Sequence, residues 1–435
     1  MTRPTLNPAE RAVPDTRPHV VIVGGGFAGL WAARALAGAP VRITLIDRQN
    51  DHLFQPLLYQ VATAGLSAPD IAAPLRHILR RQANVEVRLA EVTDIDVTAR
   101  RVWLGADASL EFEYLLLATG ATHAYFGHEE WAQYAPGLKT LDDALHLRRH
   151  LLLAFERAEA EVDPANRAAW MNFAIVGGGP TGVELAGTLA EIARHTLKSE
   201  FRNIDPSHAR IRLIEAGPRI LSSFPPDLSG AAQRQLERLG VEVSTNSAVT
   251  DINAMGYRIG DAFVASRTVV WAAGVAASPL ARALDVPLDR AGRVRVCADL
   301  SVPGHPEIFV AGDLAAVEHH GRPVPGVAPA AKQMGRHVAA AIRARIASRP
   351  SPAFEYRDYG NLATIGRMAA IVHLGRLKLS GLLAWWFWLA AHVFFLIGFR
   401  NRLVVLLDWA WAYWSYQRGA RIILGRDVDA STQQE

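Results

Sequence analysis

Two glycine clusters, each followed by an acid, carry the strongest chemical signal in this sequence. Gly24, Gly26 and Gly29 form a G-x-G-x-x-G run directly after an apolar, β-branched segment at 20–23. A small-residue helix is expected at 30–37, and a second apolar segment at 41–46 ends on Asp47. The first glycine allows a tight strand-to-helix turn, the second lets a pyrophosphate approach the backbone, and the third lets helix and strand pack closely. A helix beginning there offers unpaired N–H groups and a positive dipole end to an anion. Asp47 is placed to accept hydrogen bonds from a ribose. Strand, glycines, helix, second strand and acid occur in order, which predicts a dinucleotide-binding unit. A turn that uses glycine only for packing leaves the acid unexplained.

The pattern then returns. An apolar segment at 173–176 runs into Gly177, Gly179 and Gly182, a helix is expected at 183–193, and a strand at 211–214 ends on Glu215. The gap between Gly182 and Glu215 is long, so a helical extension through 198–204 is expected to intervene. Internal duplication of this kind means one chain with two dinucleotide sites. Glu184 falls in the first turn of the second helix. An acid there complements the helix dipole, or its carboxylate faces the reacting rings.

The remaining elements must position these groups. Strands are expected at 85–90, 101–104, 114–118, 269–271 and 307–310, and a long surface helix at 142–161. The strand at 114–118 ends in Ala118-Thr119-Gly120, and Ala272-Ala273-Gly274 repeats that turn in the second half. Small residues there let the backbone turn closely against a ligand. Ala311-Gly312-Asp313 closes a third such segment. Residues 52–66 match neither helix nor strand period and read as a packed loop and helix, either structural filler or a cover for a cofactor. A helix is expected at 325–341, with Pro329 tolerated in its first turn and Gly335 permitting close packing.

A chain of 435 residues suggests two or three domains. The expected division is a mobile tail at 1–18, a first nucleotide domain at 19–140 and 291–348, a second at 141–290, and a C-terminal region at 349–435. A net charge of +4 is too small to argue for nucleic acid. The single cysteine, Cys297, excludes an internal disulfide, a CxxC redox pair and a cysteine metal cage, and no metal site is expected. The Pro-rich start lacks the apolar core of a signal peptide.

Hydrophobic residues make up half of the chain, and the excess lies near the C-terminus. Residues 379–399 are LSGLLAWWFWLAAHVFFLIGF, and as one helix they would reach ~31 Å, about the thickness of a bilayer core. Six tryptophans cluster between 385 and 414, and indole favours the membrane interface. From Phe354 to Val428 nine basic and four acidic residues leave +5, which attracts an anionic surface. A buried core helix, a single span and a monotopic anchor lying in one leaflet are the three readings; the anchor is preferred.

Taken together, VIVGGGFAGL, DRQNDHLFQPLLYQVATAGLS, AIVGGGPTGVELAG, VWAAGV, PEIFVAGDLA and YGNLATIGR…GFRNR resemble the two-dinucleotide-domain flavoproteins of the glutathione reductase superfamily. Within it the chain resembles the type II NADH:quinone oxidoreductases from about His19 to Leu424. The resemblance implies an α/β fold of two Rossmann-like domains plus a C-terminal membrane-anchoring helical segment. It implies FAD on Gly24, Gly26, Gly29, Asp47, Thr119, Gly120, Gly312 and Asp313, and NADH near Gly177, Gly179, Gly182, Glu215 and Gly274. It makes Glu184 the carboxylate between nicotinamide and flavin, with Gln333 as the second group near the reacting rings. Where many members carry an AQxxxQQ helix, this chain has Ala328-Pro329-Ala330-Ala331-Lys332-Gln333-Met334, so Ala330, Lys332 and Gln333 are the expected quinone contacts. The implied activity is hydride transfer from NADH to flavin and two-electron reduction of a membrane quinone, without proton pumping. The implied setting is a homodimer, peripheral or monotopic, on the cytoplasmic face of a bacterial inner membrane. The alternative is a membrane-docked, flavin-bearing redox sensor or another pyridine-nucleotide-dependent flavin reductase.

Overall fold

The computed structural model describes residues 15–396, 399–415 and 420–423. The expected tail through residue 14 lies outside the described residues, as do Gly398, Arg418, Arg426 and Asp427 of the C-terminal motif and basic flank. The chain divides into two compact units. The first runs through Asn50 and takes in Pro74–Ala121 and Ala277–Tyr356; the second takes Asp51–Ala73, Thr122–Ala276 and the residues from Arg357 on.

The first unit is built on a six-stranded sheet in the order Ser301–Val302, His305–Val310, Tyr114–Leu117, His19–Val23, Arg42–Asp47, Val85–Leu89. All pairings are parallel except the first. His19–Val23 is buried at every residue, which is why it reads as an unbroken apolar run rather than an alternating one. Helix Phe27–Ala35 follows its glycine loop. Helix Ala328–Ile346 packs on it through Gly335, where a Cβ would collide with the carbonyl oxygen of Ala28.

The second unit repeats the plan. Its four-stranded parallel sheet runs Val241–Ser244, Arg210–Ile214, Asn172–Val176, Thr268–Trp271. Numbered by appearance within each unit, the shared strands stand in the order 3-2-1-4 in both sheets, the doubly wound arrangement. The repeat goes beyond the glycines. Between the third and fourth strands each unit carries an antiparallel meander: Val92–Asp96, Arg101–Leu104, Ala108–Glu111 in one, and Val249–Asn253, Gly256–Ile259, Ala262–Ala265 in the other. Even the bulge recurs in the first strand of each meander, at Val92/Asp94 and at Val249/Asp251.

Two expectations need correction. Residues 198–204 form no helix. The nucleotide helix Pro180–Glu191 ends in a π-turn, Ile192–Thr196, and Glu159 instead accepts the backbone N–H groups of Arg202, Asn203 and Ile204. An acid that satisfies three consecutive donors removes the need for helical bonding there.

The apolar run at 379–399 is not one helix. Its start belongs to strand Leu377–Gly381, the outer member of a three-stranded sheet with Asn361–Gly366 and Ala369–Leu374. Gly381 takes a φ of +75° and turns the chain into helix Leu382–Phe395, which stops at the extended residue Leu396. Arg402, in the following helix Phe399–Ser415, donates to the carbonyls of Leu396 and Phe394 at 2.9 and 2.8 Å. The guanidinium thus takes up the helix-end carbonyls that would otherwise lack partners. Among the described residues no helix is long and apolar enough to cross a membrane.

Candidate functional site

The two glycine loops agree atom by atom. A Cβ on Gly29 would meet the carbonyl oxygen of Gly24, and a Cβ on Gly182 that of Gly177. Gly24 and Gly177 have φ of +105° and +113°, in the region L side chains avoid. Each lies against the turn after the fourth strand: Gly24 against Ala118, Gly177 against Ala272. The middle glycines differ in kind. Gly26 and Gly179 are the N-caps of their helices, neither receives a side-chain cap, and a Cβ on either would enter open space. Each unit therefore presents an uncapped helix N-terminus beside an empty approach, the arrangement that accepts a phosphate.

The acids match as well. Asp47 Oδ2 accepts from the amide of Gly25 and Oδ1 from that of Gln49 at 2.8 Å. Glu215 Oε2 accepts from Gly178 at 2.7 Å and Oε1 from Gly217 at 2.6 Å. In both units the carboxylate is held by the loop amide just before the middle glycine and by the amide two residues past the acid itself. Each oxygen keeps a lone pair for a ribose hydroxyl. Burial raises the Asp47 pKa, against the lowering effect of its backbone donors.

Thr119 Oγ1 is buried without a hydrogen-bond partner among the described residues. A buried hydroxyl of this kind costs roughly 1–3 kcal/mol unless something else bonds it. Gly312 has a φ of +77° and its amide meets Met334 Sδ at 3.2 Å, while Asp313 lies against Gly326. In the helix Ala328–Ile346, Ala330 is buried and Gln333 Nε2 donates to Pro329 O at 3.3 Å. The buried ammonium of Lys332 lies 5.0 Å from the Phe27 ring centre and 4.6 Å from that of Trp31. Burial, with Arg336 nearby, lowers its pKa to about 8. Gly24, Gly26, Gly29, Asp47, Thr119, Gly120, Gly312, Asp313, Ala330, Lys332 and Gln333 all fall in the first unit. Gly177, Gly179, Gly182, Glu184, Glu215 and Gly274 belong to the second.

Glu184 is buried in the second unit, and its Oε1 accepts from the amide of Thr364 at 3.3 Å. Burial pushes its pKa up to about 8, and the single backbone donor only partly opposes that. Its carboxyl is therefore protonated at neutral pH. Burial of the carboxyl distinguishes Glu184 from a solvent-facing, charged acid at a helix start.

Sequence reasoning missed several groups. Thr364 lies on a strand whose short polar and apolar residues gave no clear period. Gln60, in the helix Leu58–Ala62, accepts from Trp409 Nε1 at 2.7 Å, and Trp388 stacks on His392 with ring centres 4.2 Å apart. Trp385, Trp388 and Trp409 are buried, while Trp386 and Trp411 are exposed, so the tryptophans divide between two faces instead of all facing an interface. A 740 Å³ cavity in the second unit, bordered by Asp70, Glu156, Asp408 and Trp411, contains none of the expected site residues.

Residues 18–335 match the family model for pyridine nucleotide-disulphide oxidoreductases, and residues 359–414 match that for the NDH2 C-terminal domain. The type II NADH:quinone oxidoreductase Ndh of Mycobacterium tuberculosis is 45% identical, covering 98% of this chain and 94% of the relative. The demethylphylloquinone reductase NdbB of Synechocystis is 32% identical over 91% and 96%. Among solved structures, NDH2 from Plasmodium falciparum in complex with NADH superposes with a TM-score of 0.85 at 20% identity, over 94% of this chain and all of that one. The fold and its loops define a pyridine-nucleotide-linked oxidoreductase that has dispensed with the disulfide, since the chain has one cysteine. It belongs to the type II NADH:quinone oxidoreductases.

The first unit fits FAD: the open approach at Gly26, the orphaned Thr119 hydroxyl and the spare lone pairs of Asp47 are what a nucleotide with a pyrophosphate would fill. Gly26→Ala is expected to leave apo stability within about 0.5 kcal/mol while abolishing flavin retention, read as flavin absorbance per protein. Gly29→Ala is expected to destabilise the fold by about 1–3 kcal/mol, read by denaturant unfolding. Equal effects on stability would remove the distinction drawn between the two glycines.

Glu184 generates a pH prediction. Its pKa is about 8 in the folded chain against an ordinary 4.5, so the native state holds a proton that the unfolded chain has lost. The linked stability is complete below about 4.5 and is lost as pH rises towards 8. Glu184→Gln, neutral throughout, should therefore gain stability relative to wild type as pH rises through that window. A constant difference in melting temperature would mean an unshifted carboxyl.

Proposed function

We propose that this chain oxidises NADH and reduces a membrane quinone, with FAD held by the first unit and NADH by the second. The observation that carries the assignment is the duplicated loop: two uncapped helix N-termini, each with an open approach and an acid held by the loop's own amides. Bound FAD would supply the two-electron relay between the substrates. Every other task falls to the chain.

Gly177, Gly179 and Gly182 let the NADH pyrophosphate reach the helix at Pro180, and Gly274 keeps the neighbouring turn low. Glu215 accepts from the free ribose hydroxyls and repels a 2′-phosphate, which favours NADH over NADPH. Arg219 does not cancel that preference, because its guanidinium donates to the carbonyls of Phe224 and Ser222. Glu184 holds a proton on its carboxyl at neutral pH and is the group assigned to proton relay. Gln333 and Lys332, one turn into their helix, are assigned with Ala330 to the quinone side. Gly24, Gly26, Gly29, Asp47, Thr119, Gly120, Gly312 and Asp313 bind the flavin nucleotide.

The C-terminal helices suit a surface anchor. Leu383, Trp386 and Phe394 on one helix, and Leu403, Leu407 and Trp411 on the next, are exposed. Such faces insert into one leaflet, and the adjoining basic residues favour anionic headgroups. We assign the protein to the cytoplasmic face of a bacterial inner membrane, where NADH is available, as a homodimer. With no polytopic bundle of buried charges in the sequence, proton pumping has no route.

Anaerobic NADH should bleach the bound flavin, and added quinone should restore its colour. A protein that holds flavin yet shows negligible quinone-dependent NADH oxidation would overturn the enzyme reading in favour of a redox sensor. Glu215→Gln weakens hydrogen bonds to a charged acceptor, typically ~1.5–3 kcal/mol, and should raise the KM for NADH by about tenfold while narrowing the gap to NADPH. An unchanged ratio removes Glu215 from the ribose site.

For the anchor, Leu383→Asp combined with Leu407→Asp should preserve the melting temperature and lower cosedimentation with anionic vesicles. Undiminished vesicle binding would rule out these faces.

A further inference from the structure

The helix that begins the second nucleotide loop also carries the C-terminal sheet. Strand Asn361–Gly366 lies along Pro180–Glu191, and three helical positions spaced by one turn each meet its backbone. Glu184 Oε1 accepts from the amide of Thr364. Gly187, three residues on, faces the carbonyl oxygen of Ile365 so closely that no Cβ fits between them. Glu191, one further turn along, accepts from the amide of Arg367 through Oε1, and the same oxygen lies 2.9 Å from where a Cβ on Gly366 would stand.

The strand is shaped for this seat. Its register against Ala369–Leu374 shifts between Thr364 and Gly366, so Ile365 is an extra, bulged residue. A bulge frees backbone groups from the ladder and re-aims them. The Thr364 hydroxyl spans the bulge, its single proton shared between the carbonyls of Gly366 and Ala369 at 3.3 and 3.2 Å. The amide of Thr364, just before the bulge, and that of Arg367, just past the end of the strand, are the ones that the two glutamates take.

We propose that Gly187 and Glu191 are positioning residues for Glu184: they seat the bulged strand so that the Thr364 amide meets the Glu184 carboxyl. The consequence is a mechanical link from the sheet that leads into the C-terminal helices to the acid assigned to the reaction. Glu191 acts through the carboxylate oxygen that takes the Arg367 amide. Gly187 acts by the absence of a side chain. The inference rests on the assignment of Glu184 to the reaction.

The test uses the full-length, flavin-loaded protein with Glu191→Ala, Glu191→Gln and Gly187→Ala. Hydrogen–deuterium exchange is followed on peptides covering 361–367, alongside kcat and KM for NADH. Loss of one backbone-directed bond should speed exchange there by about tenfold in Glu191→Ala, with exchange in the strand at 19–23 unchanged. The kcat should fall while the KM for NADH holds, since the Gly177–Gly182 loop is untouched. Glu191→Gln, which keeps an acceptor oxygen but gives up the charge, should recover part of both. Gly187→Ala should behave like Glu191→Ala; if it fails to fold, the Glu191 pair decides alone. Unchanged exchange at 361–367, or faster exchange with kcat at the wild-type level, overturns the proposal. So does a Glu191→Gln variant as impaired as Glu191→Ala. Full activity in Glu184→Gln would instead sink the assignment of Glu184, and the exchange data would still report whether the strand is seated by Glu191.

Discussion

One backbone contact, made twice, governs this molecule. In each unit the third glycine of the loop rests on the carbonyl oxygen of the first, Gly29 on Gly24 and Gly182 on Gly177. No side chain fits there, so the helix can lie close against the strand only with glycine. That closeness aims the helix N-terminus at the space above the middle glycine. It also brings the acid of the second strand within reach of the loop amides, so the ribose acceptor and phosphate site share one rigid frame. Everything else in each unit can vary around that frame, and much of it does: the first unit adds strands beyond the fourth position, while the second carries the C-terminal sheet.

The duplication was legible from glycines and acids because those positions tolerate few alternatives. Val20–Val23 and Phe173–Val176 are central strands, so every residue is apolar and the run stands out. The meanders were largely invisible for the opposite reason. Residues such as Ala108–Glu111 and Ala262–Ala265 are exposed on much of their surface, so little apolar patterning is imposed on them. Their equivalence emerges only from pairing, down to the shared bulge. The site was legible in the same unequal way. Gly26 and Asp47 announce themselves by type and spacing. Thr364 contributes a backbone amide, which any residue type could supply, so no letter of the sequence could have marked it.

The apolar run near the C-terminus shows how composition misleads when length alone is read. Twenty-one residues suffice to cross a bilayer, yet the chain spends the first three in a strand. Gly381 and the extended Leu396 then confine the helix to fourteen residues, Leu382–Phe395, roughly 21 Å at 1.5 Å per residue. Arg402, the last residue of the GFRNR motif, is what holds that ending in place by taking its carbonyls. The tryptophans reveal the consequence: one set turns inward, where Trp409 finds Gln60, and the other remains on the outer face. A helix pair with one packed face and one exposed apolar face is what a leaflet-deep anchor requires, and a bilayer-spanning rod is not.

Glu184 shows why these two halves of the second unit belong together. A carboxyl in an apolar interior keeps its proton at neutral pH because solvation is missing, and among the described residues the contact that opposes this is a backbone amide from the C-terminal sheet. Move that amide away and the neutral form is favoured further; bring it closer and the charged form gains. The proton affinity of this acid is therefore set by how a strand from one end of the chain sits on a helix from its middle. Burial, with a strand of the C-terminal sheet against it, is what lifts the proton affinity of this helix-start glutamate above the ordinary carboxylate range.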